Sequence, residues 1–294
     1  MTRRARERLV IAPRLRRRTI LAAIRSAQTY LALSIFRCDD LAVQTALAAA
    51  VRRGVQVQVL MTARARAANA HLEALHAWLS GRGIDVRRYG GGIKYHAKFL
   101  VADGRLAIVT TLNYTARCLT RTCDFTLVSR DATVVSALTE LFAADWALRP
   151  ATFTPAQRER LIVGPDHGPR ERFAALMGEA RGRLRVLDAK LSDLQIVARL
   201  GDRQRAGVAV ETASRRDVRP LRRHGKLLVV DDVAAVIGSF ALSARALDHR
   251  RELAIVIREP RLVAELNGFW QARIVPAAPA ARRGVPAARL ELPS

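Results

Sequence analysis

The chain has 294 residues, half of them hydrophobic, which is enough for two packed domain-sized units and too apolar for a disordered chain. Its 50 Lys and Arg against 26 Asp and Glu leave a formal charge of +24, a field that attracts nucleic acid or the anionic face of a membrane. No stretch reaches the roughly 20 apolar residues of a membrane span. The basic N-terminus has no signal-peptide core, so a cytoplasmic or membrane-peripheral protein is expected.

Residues 17–28 have helical apolar spacing and 29–36 read as a strand. Asp39 and Asp40 can cap the next helix, which ends at Gly54, and 54–60 alternate as a strand. A helix around 66–80 stops at Gly81. A short strand over 84–89 follows, and the glycines at 90–92 turn into a strand carrying His96 and Lys98. Residues 124–130 form a further strand and 132–148 a helix. The second half repeats this order, with helices over 171–182 and 191–206 and strands over 183–189 and 207–213. The expected organisation is a first repeat over 1–150, a linker over 151–169, a second repeat over 170–275 and a loose tail over 276–294. Gly54 matches Gly207 at an offset of 153 and His96 matches His224 at an offset of 128. The second copy is thus 25 residues shorter between these points, where the first has the 66–80 helix. Alternating strands and helices, given twice, argue a duplicated α/β sandwich.

The duplication extends to chemistry. His96, Lys98 and Asp103 have the same spacing as His224, Lys226 and Asp231. An acid, Asp124 or Glu252, stands 28 residues after each histidine. On a strand, His and Lys two apart leave on one face. Such a set suits a phosphate: one neutral imidazole attacks phosphorus, and a second, protonated one gives a proton to the leaving oxygen. Two ammonium groups and a side-chain amide hold the equatorial oxygens. Asp124 and Glu252 are the natural orienters of the histidines. Each copy supplies one histidine, so the two halves are expected to share a site, with His96 and His224 facing each other. No His/Cys/Asp/Glu set has convincing metal-ligand spacing, and the three cysteines read as reduced thiols.

The pattern H-x-K-x4-D with a downstream acid, given twice and carrying Gly238-Ser239 in the second copy, resembles the phospholipase D superfamily. The resemblance is closest to its bacterial cardiolipin-synthase/phosphatidylserine-synthase-like branch, and covers residues 17 to 272. It implies an α/β fold of two pseudo-symmetric α/β/α sandwich repeats sharing one active site. It also implies phosphodiester cleavage or transfer through a phosphohistidine, with no metal or cofactor. By position, His96 resembles the nucleophile and His224 the general acid. Lys98, Lys226 and Asn113 resemble the phosphate binders, and Asp124 and Glu252 the imidazole partners. Asp103 and Asp231 resemble structural acids, with Thr111 and Ser239 in support. Two departures stand out: the first copy has Thr110-Thr111 for Gly-Ser, and the second has Ala241 at the asparagine position. The function implied is a phospholipase D-like phosphodiesterase or phosphatidyltransferase acting on phospholipid headgroups at an anionic membrane surface. The alternatives are a metal-independent endonuclease, favoured by the charge, and a weakly active anion-binding protein. The charge also allows nonspecific nucleic-acid binding, and a monomer with an internal pseudo-dimer is expected.

Overall fold

The computed structural model describes residues 5–63, 69–213, 218 and 220–274, so the tail expected over 276–294 lies outside the described residues. The first half runs β1 (Glu7–Val10), α1 (Pro13–Ser26), β2 (Tyr30–Ile35), α2 (Leu41–Arg52), β3 (Gln56–Met61), α3 (Asn69–Ser80), β4 (Asp85–Arg88), β5 (Lys94–Tyr95), β6 (Phe99–Ala102), β7 (Leu106–Thr110), α4 (Ala116–Thr120), β8 (Thr122–Cys123), β9 (Thr126–Ser129) and α5 (Ala132–Ala147). The second runs α6 (Pro155–Arg160), β10 (Leu161–Gly164), α7 (Pro169–Glu179), β11 (Arg183–Leu187), α8 (Leu194–Arg205), β12 (Ala209–Ala213), β13 (Arg222–Arg223), β14 (Leu227–Val230), β15 (Ala234–Gly238), α9 (Ala244–Asp248), β16 (Arg250–Ile257) and α10 (Pro260–Arg273).

Each half is a mixed sheet with helices on its faces. The first sheet has the order β1-β9-β7-β6-β2-β3-β4 and the second β10-β16-β15-β14-β11-β12. Strand for strand the second order repeats the first, with the same parallel or antiparallel sense at every pairing. Among the described residues α3 and β4 have no counterpart, which accounts for the shorter second copy.

The middle strands β6, β14 and β15 are apolar throughout because both faces are covered. Along β6, Phe99 and Val101 join the core between the two sheets, while Leu100 and Ala102 join the core under α1, α2 and α3. In the second half, Leu227 and Val229 face the shared core, and Leu228 and Val230 the core under α7 and α8. Each of these side chains other than that of Ala102 contributes about 1.5–3 kcal/mol by burial. Helix starts repeat as well. Asp40 accepts from Val43 N at 3.2 Å and Asp193 from Ile196 N at 3.1 Å. Gly54 and Gly207, past the ends of α2 and α8, both take a φ of 87°, which disfavours any side chain.

Two expectations need correction. Residues 151–169, read as a linker, hold α6, opened by a Thr154–Gln157 capping box, and β10, an edge strand paired with β16. LIVG in β10 is buried throughout, so it shows no alternation to mark it as a strand. The motif segment is also not one strand. His96, Ala97 and Lys98 lie between β5 and β6, and His224, Gly225 and Lys226 between β13 and β14.

Candidate active site

Those two interruptions occur because the chain changes sheets. β5 pairs in parallel with the start of β16, setting Lys94 opposite Arg250 and Tyr95 opposite Arg251. Reciprocally, β13 pairs with β8, setting Arg222 opposite Thr122 and Arg223 opposite Cys123. Each crossing delivers a histidine to the acid of the other half. His96 Nδ1 lies 2.8 Å from Glu252 Oε2, and His224 Nδ1 lies 2.8 Å from Asp124 Oδ1. A carboxylate only accepts, so each Nδ1 carries its hydrogen and each Nε2 is left free to react. Gly225 suits this approach, since a Cβ there would meet Cys123 O at 2.6 Å.

Both acids are fully buried. Burial alone would raise Glu252, but His96 and Lys98 outweigh it and hold the carboxyl below the usual range. Asp124 behaves likewise: burial is outweighed by His224 and by the hydroxyls of Thr111 and Thr122. Thr111 Oγ1 donates to Asp124 Oδ1 at 2.6 Å, and Thr122 Oγ1 donates to Oδ2. The threonine that replaces serine in the first copy therefore still supports the acid. Ser239 Oγ accepts from Leu253 N at 3.0 Å, as Thr111 Oγ1 accepts from Phe125 N.

The two histidines sit in different surroundings. His96 has a side-chain exposure of 16% against 29% for His224. Burial, reinforced by Lys98 and opposed by Glu252, pushes the His96 imidazole down to about 3, so it is neutral at physiological pH. Lys98 is 2% exposed and donates to His96 O at 2.6 Å, and burial pulls its ammonium down to about 7 against the attraction of Glu252. Lys226 donates to His224 O at 3.1 Å. Phe36, just past β2, packs edge-on to His96 at 4.7 Å and lies under the ammonium groups of Lys94 and Lys98.

His96, His224, Lys226, Ser239, Ala241 and Glu252 line one cavity of about 590 Å³, and the buried Lys98 and Asp124 are bonded to its two histidines. Asn113 does not line it; its Oδ1 is enclosed without a hydrogen-bond partner. Its counterpart Ala241 does line it, so the cavity lacks an amide where the second motif would supply one. Asp103 and Asp231 lie elsewhere and bind backbone. Asp103 accepts from the amides of Gln28, Thr29 and Tyr30, and Asp231 from those of Arg181, Gly182 and Arg183.

The sequence reading missed the cationic wall. Arg37 and Lys190 line the cavity as counterparts at the offset of 153, and Lys94 and Arg222 as counterparts at 128. Arg117, Arg223 and Arg250 complete it. A signal was present: the chain has four lysines, Lys94, Lys98, Lys190 and Lys226, and all four gather here.

Cys118, Asp124 and His224 bring ligating atoms within 4.8 Å of one another, a donor set a metal ion could use. Asp124 already accepts from Thr111, Thr122 and His224, so a cation there would have to break those bonds. No helix among the described residues is long and apolar enough to cross a membrane.

The family described as "Cardiolipin synthase, PLD-like domain" matches residues 20–146 and again 160–272. A comparison with curated proteins finds no match. Among solved structures, the polyphosphate kinase from Porphyromonas gingivalis aligns with a TM-score of 0.73 at 21% identity. It covers 90% of this chain, which spans only 46% of the kinase. Phosphatidylserine synthase from Haemophilus influenzae Rd KW20 aligns with a TM-score of 0.70 at 12% identity, over 92% of this chain and 86% of that one. At these identities the likeness shows the shared fold.

Proposed function

The chain belongs to the family of cardiolipin synthase, PLD-like domains, and on that premise we propose that it is a phosphodiesterase or phosphatidyltransferase acting through a phosphohistidine. The observation that carries the reading is the reciprocal pairing of each histidine with the other half's acid, at 2.8 Å, around one cavity. In the first step the Nε2 lone pair of His96 attacks phosphorus. The bond from phosphorus to the leaving oxygen breaks, and that oxygen takes its electron pair and a proton from His224. Glu252 offsets the positive charge that phosphorylation leaves on the His96 ring. In the second step water or an acceptor alcohol attacks phosphorus and gives its proton to His224. The P–N bond then breaks and returns its pair to His96. Lys98 and Lys226 offset the charge on the equatorial oxygens. The lowered His96 supports its role as the nucleophile, since it is unprotonated at neutral pH. Asp124, held ionised, lies 2.8 Å from His224 Nδ1 and so orients the ring with Nε2 toward the leaving oxygen, as the acid role needs.

The family supports a phospholipid as substrate, met at an anionic membrane surface. The cation pairs Arg37/Lys190 and Lys94/Arg222 favour a second reading, a nuclease, because each half contributes cations to the one cavity, as a polyanionic backbone would need. Binding does not separate the two, since counterion release makes a chain of this charge adhere to DNA at low salt. Turnover does. Near physiological ionic strength, the expected result is headgroup release from mixed phospholipid vesicles by the wild type and none by His96→Ala. DNA cleavage that depends on His96, with no lipid product, would overturn the phospholipid reading in favour of the nuclease. No histidine-dependent turnover of either would overturn both.

A further inference from the structure

A buried guanidinium outside both motifs grips the segment that carries one of their acids. Arg16, near the start of α1, is fully buried. Its Nη1 donates to the carbonyls of Cys118 at 3.0 Å and Thr122 at 2.6 Å. Its Nη2 donates to those of Ile11 and Asp124, each at 2.8 Å. These partners are all backbone carbonyls, and Nε is an enclosed donor without a partner. Burial disfavours the charge, and among the groups that oppose this the carboxylate of Asp124 comes first. A buried cation is costly, and apolar packing at this position would not require one.

We infer that Arg16 is the positioning residue of the Asp124–His224 pair, clamping the segment from Cys118 to Asp124 so that the carboxylate meets His224 Nδ1. Three features that locate His224 hang on the clamped segment. Asp124 bonds the imidazole. Thr122 donates its hydroxyl to the same carboxylate. Thr122 and Cys123 form the strand against which Arg222 and Arg223, the residues just before His224, are paired.

The other half explains why the clamp is needed once. Glu252 lies in β16, a strand of 8 residues anchored by the buried Arg251, whose Nη1 donates to Gly164 O at 2.9 Å and whose Nη2 meets Asp166 at 2.7 Å. β8 has 2 residues, too few to hold its own register, and the position matching Arg16 at the offset of 153 is Pro169. The guanidinium of α1 supplies from outside what β16 has within itself.

This inference rests on the reading of His224 as the proton donor, and the test separates the two. Aryl methyl phosphates with phenols of graded acidity serve as probes, and the first-turnover burst of phenol is measured before the phosphohistidine is hydrolysed. His224→Ala and Asp124→Asn calibrate the assay. Each should lose about 100-fold on the least acidic phenol and less than about 5-fold on p-nitrophenol, which leaves without a proton. If neither shows this selectivity, the reading of His224 fails. Given that selectivity, Arg16→Met should reproduce it, and Arg16→Lys should lie between Arg16→Met and the wild type. A uniform loss across all phenols, or no loss, would overturn the role of Arg16, because a merely structural change has no reason to track leaving-group acidity. If Arg16→Met does not fold, Arg16→Lys is decisive by the same criterion. Failure of both to fold would also overturn it, since no separable effect on His224 would exist.

Discussion

Binding of an oxyanion should draw a proton onto Lys98. Its ammonium is 2% exposed, and burial brings it from 10.5 to about 7 despite Glu252. At about 1.36 kcal/mol per pKa unit, the charged form is held on the order of 5 kcal/mol less favourably than in the unfolded chain. Below pH 7 the lysine is charged in both states and the folded chain bears this cost in full. Between pH 7 and 10.5 the unfolded chain binds more protons, so the cost fades and stability rises with pH. A dianion seated in the cavity favours the ammonium again. Sulfate is the suitable probe, because it does not itself titrate near neutrality. At pH 8, where Lys98 is about 10% charged in the free protein, binding should take up about 0.9 proton at this group, and Kd should rise about tenfold per pH unit above 7. Calorimetric titration in two buffers of different ionisation enthalpy reads the uptake directly. Lys98→Met should lose that share of the uptake and the slope, and should be more stable than the wild type below pH 7. Wild-type and Lys98→Met proteins with equal uptake and equal pH dependence would refute the argument.

Other expectations concern the acids, the missing amide and metal dependence. Glu252→Gln keeps the shape around His96 but removes the charge that offsets its phosphorylated ring. A fall in kcat of about 10³–10⁴-fold with little change in KM is expected, and a rate within tenfold of wild type would count against the cross-half pair. Ala241→Asn returns an amide to the cavity wall. A gain in kcat/KM of about 10-fold or more follows from one added hydrogen bond to a charged partner, and no gain in steady-state kinetics would mean the position does not reach the phosphate. Turnover should survive EDTA, given how fully Asp124 is engaged. Chelator inactivation reversed by Mg²⁺ or Zn²⁺ would show instead that the Cys118, Asp124 and His224 set holds an ion.

The sequence alone determined the alternation of strands and helices, the duplication and the identity of the paired histidines, lysines and acids. These are local properties. Apolar periodicity reports which faces of an element are covered, and a repeated spacing reports a repeated fold. Which acid serves which histidine could not be read locally. The constant spacing of 28 invites pairing within each copy, whereas the structure joins His96 to Glu252 and His224 to Asp124. That exchange is made by β5 and β13, of 2 residues each, too short to leave any periodicity. The same limit hid β10, whose four residues are buried throughout, and the break in each motif strand where the chain leaves one sheet for the other. The grip of Arg16 on Cys118, Thr122 and Asp124 spans more than 100 residues of chain, and in a sequence this rich in arginine nothing distinguishes it. The docking of the two halves turned these separate residues into one site. Docking is set by the complementarity of whole buried faces, and no window of sequence contains both of those faces.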